Sequence, residues 1–177
     1  MQKHKLAATL VLAATLLAGC NPTYNWRDYS SPDAPYRVMF PAKPASHTRS
    51  VDLDGVKVEM TMTAAEVEGV MFAVGTGVAP DAAGAQAAVD AMKTAMLRNI
   101  DATVQRESAS AASSGDPDST RKSIDIDATG SGNGGPMKLS GHFESRGKRF
   151  YQVIVLGKEK AVPAEQSEQF MKSFTLL

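Results

Sequence analysis

The sequence has little of several residue types on which common protein functions depend. It holds one cysteine, Cys20, in 177 residues, so no intrachain disulfide can form, and aromatic residues make up only 6%. Lysine plus arginine and aspartate plus glutamate both number 19, which leaves no positive excess to attract nucleic acid. No apolar run reaches the roughly 20 residues that a membrane-spanning helix needs. What is left is the composition of one globular domain.

The amino terminus has the order of a secretion signal. Lys3 and Lys5 precede an uncharged apolar run at 6–18, which is short enough to be a signal-peptide core. The run ends in Leu17-Ala18-Gly19-Cys20, which resembles the lipobox of bacterial lipoproteins at every position. That resemblance implies cleavage before Cys20, a diacylglyceryl thioether on its sulfur and usually an additional N-acyl chain. The alternative is an ordinary secretory peptide in which Cys20 is an incidental thiol.

Lipidation of Cys20 would fix the mature chain to a membrane in the cell envelope, with the domain in the periplasm. Each buried methylene contributes about 0.8 kcal/mol, so two or three acyl chains make a stable anchor. Asn21 in place of Asp favours the outer over the inner membrane, by the rule known from enterobacteria. The predicted organisation is a signal peptide at 1–19, a lipidated cysteine with a proline-rich tether at 20–35, and one globular domain at 36–177.

The predicted tether contains aromatic residues that permit two interpretations. Prolines restrict the backbone and lack a donor, so 21–35 is expected to be extended. Three rings interrupt its polar sequence: Tyr24, Trp26 and Tyr29. They either lie among lipid headgroups or dock onto the domain and end the tether early.

The clearest local signal is a β-hairpin around Asp54-Gly55. Apolar and polar residues alternate on both sides of this dipeptide, which is a preferred two-residue hairpin loop. The register pairs Leu53 with Val56 and places an ion pair between Asp52 and Lys57 on the opposite face.

The other elements follow from periodicity and turn residues. We predict strands at 36–40, 70–77, 102–107 and 121–128, a loop at 109–119, a glycine-rich turn at 130–135, a hairpin of 138–144 with 149–156, and helices at 80–99 and 163–172. The strand at 70–77 is expected to be central, and the first helix is rich in alanine, so it can lie close to a sheet. The order predicts an α+β fold, one antiparallel sheet with helices packed on it.

Three segments carry a family resemblance: Tyr36–Pro44, Arg149–Val155 and Phe170–Phe174. They resemble the PsbP-like α/β-sandwich superfamily, which includes photosystem extrinsic subunits and bacterial envelope lipoproteins of the DcrB type. The matching positions are core residues at strand and helix ends. The resemblance therefore implies a non-enzymatic binding module, such as an assembly factor, chaperone or adaptor, and no catalytic residue.

Candidate chemistry is sparse. The mature chain keeps two histidines, His47 and His142, and no Gly-x-Ser-x-Gly elbow accompanies them. Gly130–Gly135 lacks the Gly-Lys-Ser/Thr of a phosphate loop and leads towards a strand. Asp125 and Asp127 share one strand face, where they are either an acid–base or Ca²⁺ pair or simply a solvated surface.

Two further clusters have alternative interpretations. The hairpin register brings His47, Met60 and Met62 onto one face, where imidazole and thioethers would suit Cu(I), although methionine is also a common core filler. A set of cations near the second hairpin would suit anionic lipid or an acidic partner, or is simply a solvated turn: Arg146, Lys148, Arg149, Lys158 and Lys160.

The sequence thus predicts a lipid-anchored, non-enzymatic envelope protein that acts as a protein-binding adaptor or assembly factor, with no cofactor and no nucleic-acid partner. The alternative is a carrier of a small apolar ligand or lipid, held between the alanine-rich helix and the sheet. A third hypothesis, a hydrolase, requires one histidine to join a carboxylate and a nucleophile.

Overall fold

A computed structural model describes residues 22–53, 55–113, 115, 119–132 and 134–177. The lipobox, Cys20 and Asp54 lie outside the described residues. The elements in chain order are β1 (Arg27–Ser30), β2 (Tyr36–Phe40), β3 (Ala45–Leu53), β4 (Val56–Val67), β5 (Val70–Val78), α1 (Ala82–Asn99), β6 (Thr103–Ala112), β7 (Arg121–Gly132), β8 (Gly135–Arg146), β9 (Arg149–Lys158), α2 (Ala164–Ser173) and β10 (Thr175–Leu176).

The strands form two antiparallel sheets. The larger has seven strands in the order β3-β4-β5-β9-β8-β7-β6, and the smaller has three in the order β1-β2-β10. Helix α1 packs on one face of the large sheet, while the small sheet and α2 pack on the other. This arrangement confirms the predicted α+β fold, and β5 lies in the interior of the large sheet, as its continuous apolar sequence predicts.

Two apolar cores lie on the two faces of the large sheet. Under α1, Ala85 and Ala88 present small side chains that let the helix approach the strands closely. On the other face, Phe170 of α2 contacts Phe40 and Phe72, with ring centroids 5.5 and 5.4 Å away. Alternating residues of β5 and β9 enter opposite cores, so the same two strands support both.

The first hairpin has the predicted register, with Leu53 opposite Val56 and Asp52 opposite Lys57. Gly55 has φ of +87°, the left-handed conformation that this turn position needs. The expected ion pair is replaced by another contact, because the Asp52 carboxylate accepts a hydrogen bond from the Gly55 backbone N–H at 2.6 Å. The Asp52 carboxylate therefore bonds to the turn instead of to Lys57.

Strand β6 is longer than predicted. It extends to Ala112, across the first part of the predicted loop at 109–119. The small polar residues of this segment have little strand preference, but β7 offers them a pairing partner, and the hydroxyls of Ser110 and Ser123 hydrogen-bond at 2.8 Å.

Residues 22–35 differ from the predicted extended tether. β1 pairs with β2, and the Asn25 N–H donates to the carbonyl oxygen of Pro41 at 2.8 Å. Tyr24, Trp26 and Tyr29 pack against the second core. Of the two interpretations of these rings, the structure shows the docked one, because aromatic burial and ladder hydrogen bonds outweigh the extended preference of the prolines.

Candidate functional site: a methionine-lined groove

A groove of about 530 Å³ lies between α1 and strands β3, β4, β5 and β9. It exists because α1 packs mainly on β7, β8 and β9 and leaves the β3–β5 side of the sheet less covered. Five of the nine methionines line it: Met60, Met62, Met71, Met92 and Met96. Val51, Leu53, Ile154 and Leu156 add aliphatic surface. Volume and lining both match small-molecule sites, which are largely apolar with a few polar groups.

Gly75 makes room for the floor of the groove. It lies opposite Met62 on β4 and opposite Gln152 on β9. A Cβ added at Gly75 would lie 2.3 Å from Met60 Cε and 2.5 Å from Met62 Sδ. Both methionine tips therefore occupy the space above this glycine. Because methionine is flexible and polarisable, such a floor can adapt to differently shaped apolar ligands.

Gln152 is the buried polar residue of the groove. Strand alternation places it on the α1 face, between Phe150 and Ile154, and it is only 5% exposed. Its side-chain amide has no hydrogen-bond partner among the described residues. The one fully buried side-chain polar atom without a partner in the described residues is Ser145 Oγ, so the Gln152 amide, which lines the groove, is reached by water there.

The rim of the groove on β3 is polar. His47 and Arg49 lie on the face that also carries Val51 and Leu53, and both line the groove. Within the part of the chain that the structure describes, Arg49 forms no ion pair. Asp52, which also lines the groove, has its carboxylate on the Gly55 N–H. Arg49 is therefore a cation without an ion-pair partner among the described residues, at the mouth of an apolar site.

The structure brings together the residues considered for Cu(I). His47 pairs with Met62, Arg49 pairs with Met60, and all of them line the same groove. His47 is exposed, whereas Met60 is buried among aliphatic side chains. No group of three or more His, Cys, Asp or Glu residues in the described ranges is arranged to hold a metal ion. The lining as a whole fits an apolar molecule better than a metal ion.

A second polar cluster surrounds His142 on the opposite face of the sheet. Its Nδ1 lies 2.8 Å from Asp125 Oδ1, its Nε2 lies 3.2 Å from Glu144 Oε2, and Arg121 donates to Glu144 at 2.9 Å. Burial lowers the pKa of His142, but hydrogen bonds to Glu144 and Asp125 outweigh it, so the pKa is raised. Burial raises the pKa of Glu144, but hydrogen bonds from His142 and Arg121 outweigh it, so that pKa is lowered.

This cluster bears on the hydrolase hypothesis. His142 does join carboxylates, as the hypothesis requires. Both of its ring nitrogens, however, hydrogen-bond to carboxylates, which leaves neither to take a proton from a hydroxyl nucleophile. Asp127, the expected partner of Asp125, instead binds Arg106 and accepts a hydrogen bond from Ser140 at 2.8 Å. The two aspartates thus belong to separate structural networks.

The remaining candidates separate in space. Arg146, Lys148 and Arg149 lie at the β8–β9 turn, whereas Lys158 ends β9, nine residues or about 30 Å from Arg149. The expected cationic cluster is therefore two groups at opposite ends of a strand.

Gly130 lies within β7, where a Cβ would come within 2.2 Å of the Ile100 carbonyl oxygen. Gly130 therefore allows close packing against the end of α1. In the β7–β8 hairpin that follows, Asn133 lies outside the described residues.

Sequence reasoning located part of the groove and missed its polar member. The hairpin register placed His47, Met60 and Met62 together, and the alanine-rich helix was expected to face the sheet. Gln152 was not singled out. Its place in a run of apolar residues on a central strand was the signal available, because a polar residue at an inward position is unusual.

Comparison with known proteins supports the fold. No family model matches the sequence, and no curated protein matches it. A search of solved structures finds similarity to the solution structure of cyanobacterial PsbP (CyanoP) from Synechocystis sp. PCC 6803, with a TM-score of 0.53 and 11% sequence identity over 90% of this chain and 96% of that chain. The domain therefore has a PsbP-like fold. At this identity the similarity concerns the fold alone. Helices long and apolar enough to span a bilayer are absent from the described residues.

Proposed function

We propose that this chain is a lipid-anchored, non-enzymatic protein of the cell envelope whose PsbP-like domain carries a small apolar ligand in the methionine-lined groove. Its anchor is Cys20, with the domain in the periplasm and the outer membrane favoured. The observation that carries the proposal is the groove itself: about 530 Å³, lined by methionine and aliphatic side chains, with the Gln152 amide in its wall. This combination is the usual anatomy of a small-molecule site.

Ligand binding is tested by fluorescence titration of the purified domain with N-phenyl-1-naphthylamine, a neutral apolar probe. Ala95 of α1 is exposed and lines the groove, so Ala95→Trp would fill the opening without entering the core. The matched control is Ala83→Trp, at an exposed position in the first turn of the same helix. We expect saturable binding that A95W weakens at least tenfold and A83W leaves unchanged. Equal binding by all three proteins would contradict the proposal.

The anchor is tested on the full chain expressed in a bacterium. Mass spectrometry of the mature protein is expected to show an amino terminus at Cys20 bearing acyl chains, and Cys20→Ser is expected to move the protein from the membrane to the soluble periplasmic fraction. Recovery of an unacylated chain in the membrane fraction would contradict lipid anchoring.

A second candidate function, the protein-binding adaptor, is favoured by the free edge of the large sheet. β6 is an edge strand, and nearly all of its ten residues are exposed. After Glu107 its residues are small and uncharged, without the charges or prolines that usually protect an edge. Such an edge can accept an extended segment of a partner as a further strand. Because the chain would be held at a membrane, tethering would raise its effective concentration near envelope partners.

The adaptor function is tested by photo-crosslinking in intact cells. A crosslinker placed at Ser110 of β6 is expected to capture one envelope protein, and Ala111→Lys is expected to abolish the product by charging the edge. A crosslinker at Ser50, on the other edge strand β3, is the matched control. Products of equal identity and yield from both edges, insensitive to A111K, would contradict a specific docking edge.

A further inference from the structure

We infer that the ligand of the methionine-lined groove is a free fatty acid, with its acyl chain in the groove and its carboxylate at Arg49. This inference rests on the proposed ligand-binding function and names the ligand class. It is argued from the charge at the rim, the burial of the floor and the capacity of the site.

The apolar part of the site suits one flexible hydrocarbon chain. Its floor consists of methionines above Gly75, which conform to a chain more readily than branched or aromatic side chains do. A volume of about 530 Å³ lies in the range for a single small ligand.

The rim supplies one positive charge, Arg49, that forms no ion pair with a described carboxylate. Arg49 lies next to Val51 on the inward face of β3, opposite Met60, so the aliphatic part of its side chain borders the apolar floor. No described carboxylate pairs with it, and Asp52 is held by the turn. A guanidinium binds a carboxylate through two parallel hydrogen bonds, which a neutral alcohol cannot accept in the same way.

A neutral ligand would leave the Arg49 charge without a counter-ion, whereas an anionic ligand would pair with it. His47 lies two residues before Arg49 on the same face and offers a further donor. Asn99 closes the rim from α1 with a neutral amide. The groups around the mouth therefore present donors and one cation to an incoming head group, and the carboxylate among them, Asp52, already accepts the Gly55 N–H.

The test compares decanoate with decanol, which share a chain and differ in charge, by displacement of N-phenyl-1-naphthylamine from the purified domain at about pH 8. Arg49→Gln removes the cation, and Lys57→Gln is the matched control, since Lys57 lies on the same hairpin with its side chain on the opposite face. A partly exposed ion pair of this kind predicts that R49Q weakens decanoate binding about three- to fivefold and leaves decanol unchanged. K57Q should alter neither.

The outcomes separate the two proposals. Two results together support a fatty acid ligand: R49Q loses affinity for decanoate but not for decanol, and added salt weakens decanoate binding to the wild-type protein. Equal affinity for decanoate and decanol with no effect of R49Q overturns this inference while the groove remains a binding site. Failure of both compounds and of the probe to bind overturns the proposed carrier function as well.

Discussion

At the scale of single residues, the protonation of His142 is linked to the stability of the fold. Its pKa is raised in the folded state, so its contribution is fully present below the ordinary value of 6.5 and is lost as pH rises through the folded value. Glu144 has a lowered pKa, so its contribution is present above the ordinary value of 4.5 and is lost as pH falls through the folded value. The pair therefore stabilises the fold most between these two ordinary values.

The prediction concerns His142→Gln. It should lower the free energy of unfolding by about 1–2 kcal/mol near pH 5.5, and the difference from wild type should shrink as pH rises above neutrality. Urea unfolding across that pH range measures it. His47→Gln, which changes the exposed histidine, is the control and should lower the free energy of unfolding far less near pH 5.5. A loss for H142Q that stays constant from about pH 5 to 9 would contradict the assigned hydrogen bonds.

Gly130 makes a different prediction at the same scale. A methyl group at this position would meet the carbonyl of Ile100 at 2.2 Å, and backbone cannot move aside as a flexible side chain can. Gly130→Ala should therefore destabilise the domain by about 1–3 kcal/mol. Thermal denaturation measures this, and Ser131→Ala, at the exposed neighbouring residue, should lower stability far less. Similar melting temperatures for G130A and the wild type would show that the end of α1 is not packed as described.

Single residues also show what the sequence could and could not predict about the site. The partnership of His47 with Met62 followed from counting outwards from Gly55, since hairpin register is a local property. Gln152 could not be placed in the groove by such counting, because its cross-strand partner Gly75 is far away in sequence and the strand order that joins them depends on the whole sheet.

At the scale of elements, α1 is the helix whose beginning is best defined. Asp81 caps it, accepting a hydrogen bond from the Gly84 N–H at 2.7 Å. Asp81→Ala should therefore lower stability by about 1 kcal/mol, while Asp81→Asn should retain most of it, because asparagine caps about as well. Chemical denaturation of both variants measures this, and equal losses in the two would contradict the cap.

Elements with local signals were predictable, and those that depend on distant partners were not. The turn residues and alternation around Gly55 defined β3 and β4, and alanine periodicity defined α1. The sequence of β1 and of the second half of β6 gave no such signal. β1 forms because β2 pairs with Arg27–Ser30, and β6 continues to Ala112 because β7 pairs with it. Tertiary pairing decided both.

At the scale of the whole molecule, the two cores share β5 and β9 and should unfold together. Phe170→Ala, in the core beneath the small sheet, should cost about 3–5 kcal/mol. Fluorescence of Trp26, which packs on that side, and circular dichroism of the whole chain should give coincident transitions for this variant and for the wild type. A transition in fluorescence that precedes loss of helix would show that the two faces unfold independently.

The central claim is that the groove under α1 binds an apolar ligand, and methyl NMR of the described methionines tests it most directly. With ¹³C-methyl methionine in the purified domain, saturation with decanoate should shift the resonances of five residues: Met60, Met62, Met71, Met92 and Met96. The methyls of Met39, Met137 and Met171 lie outside the groove lining and should stay in place. Shifts confined to those three, or no shift at a concentration that displaces the fluorescent probe, would contradict the account.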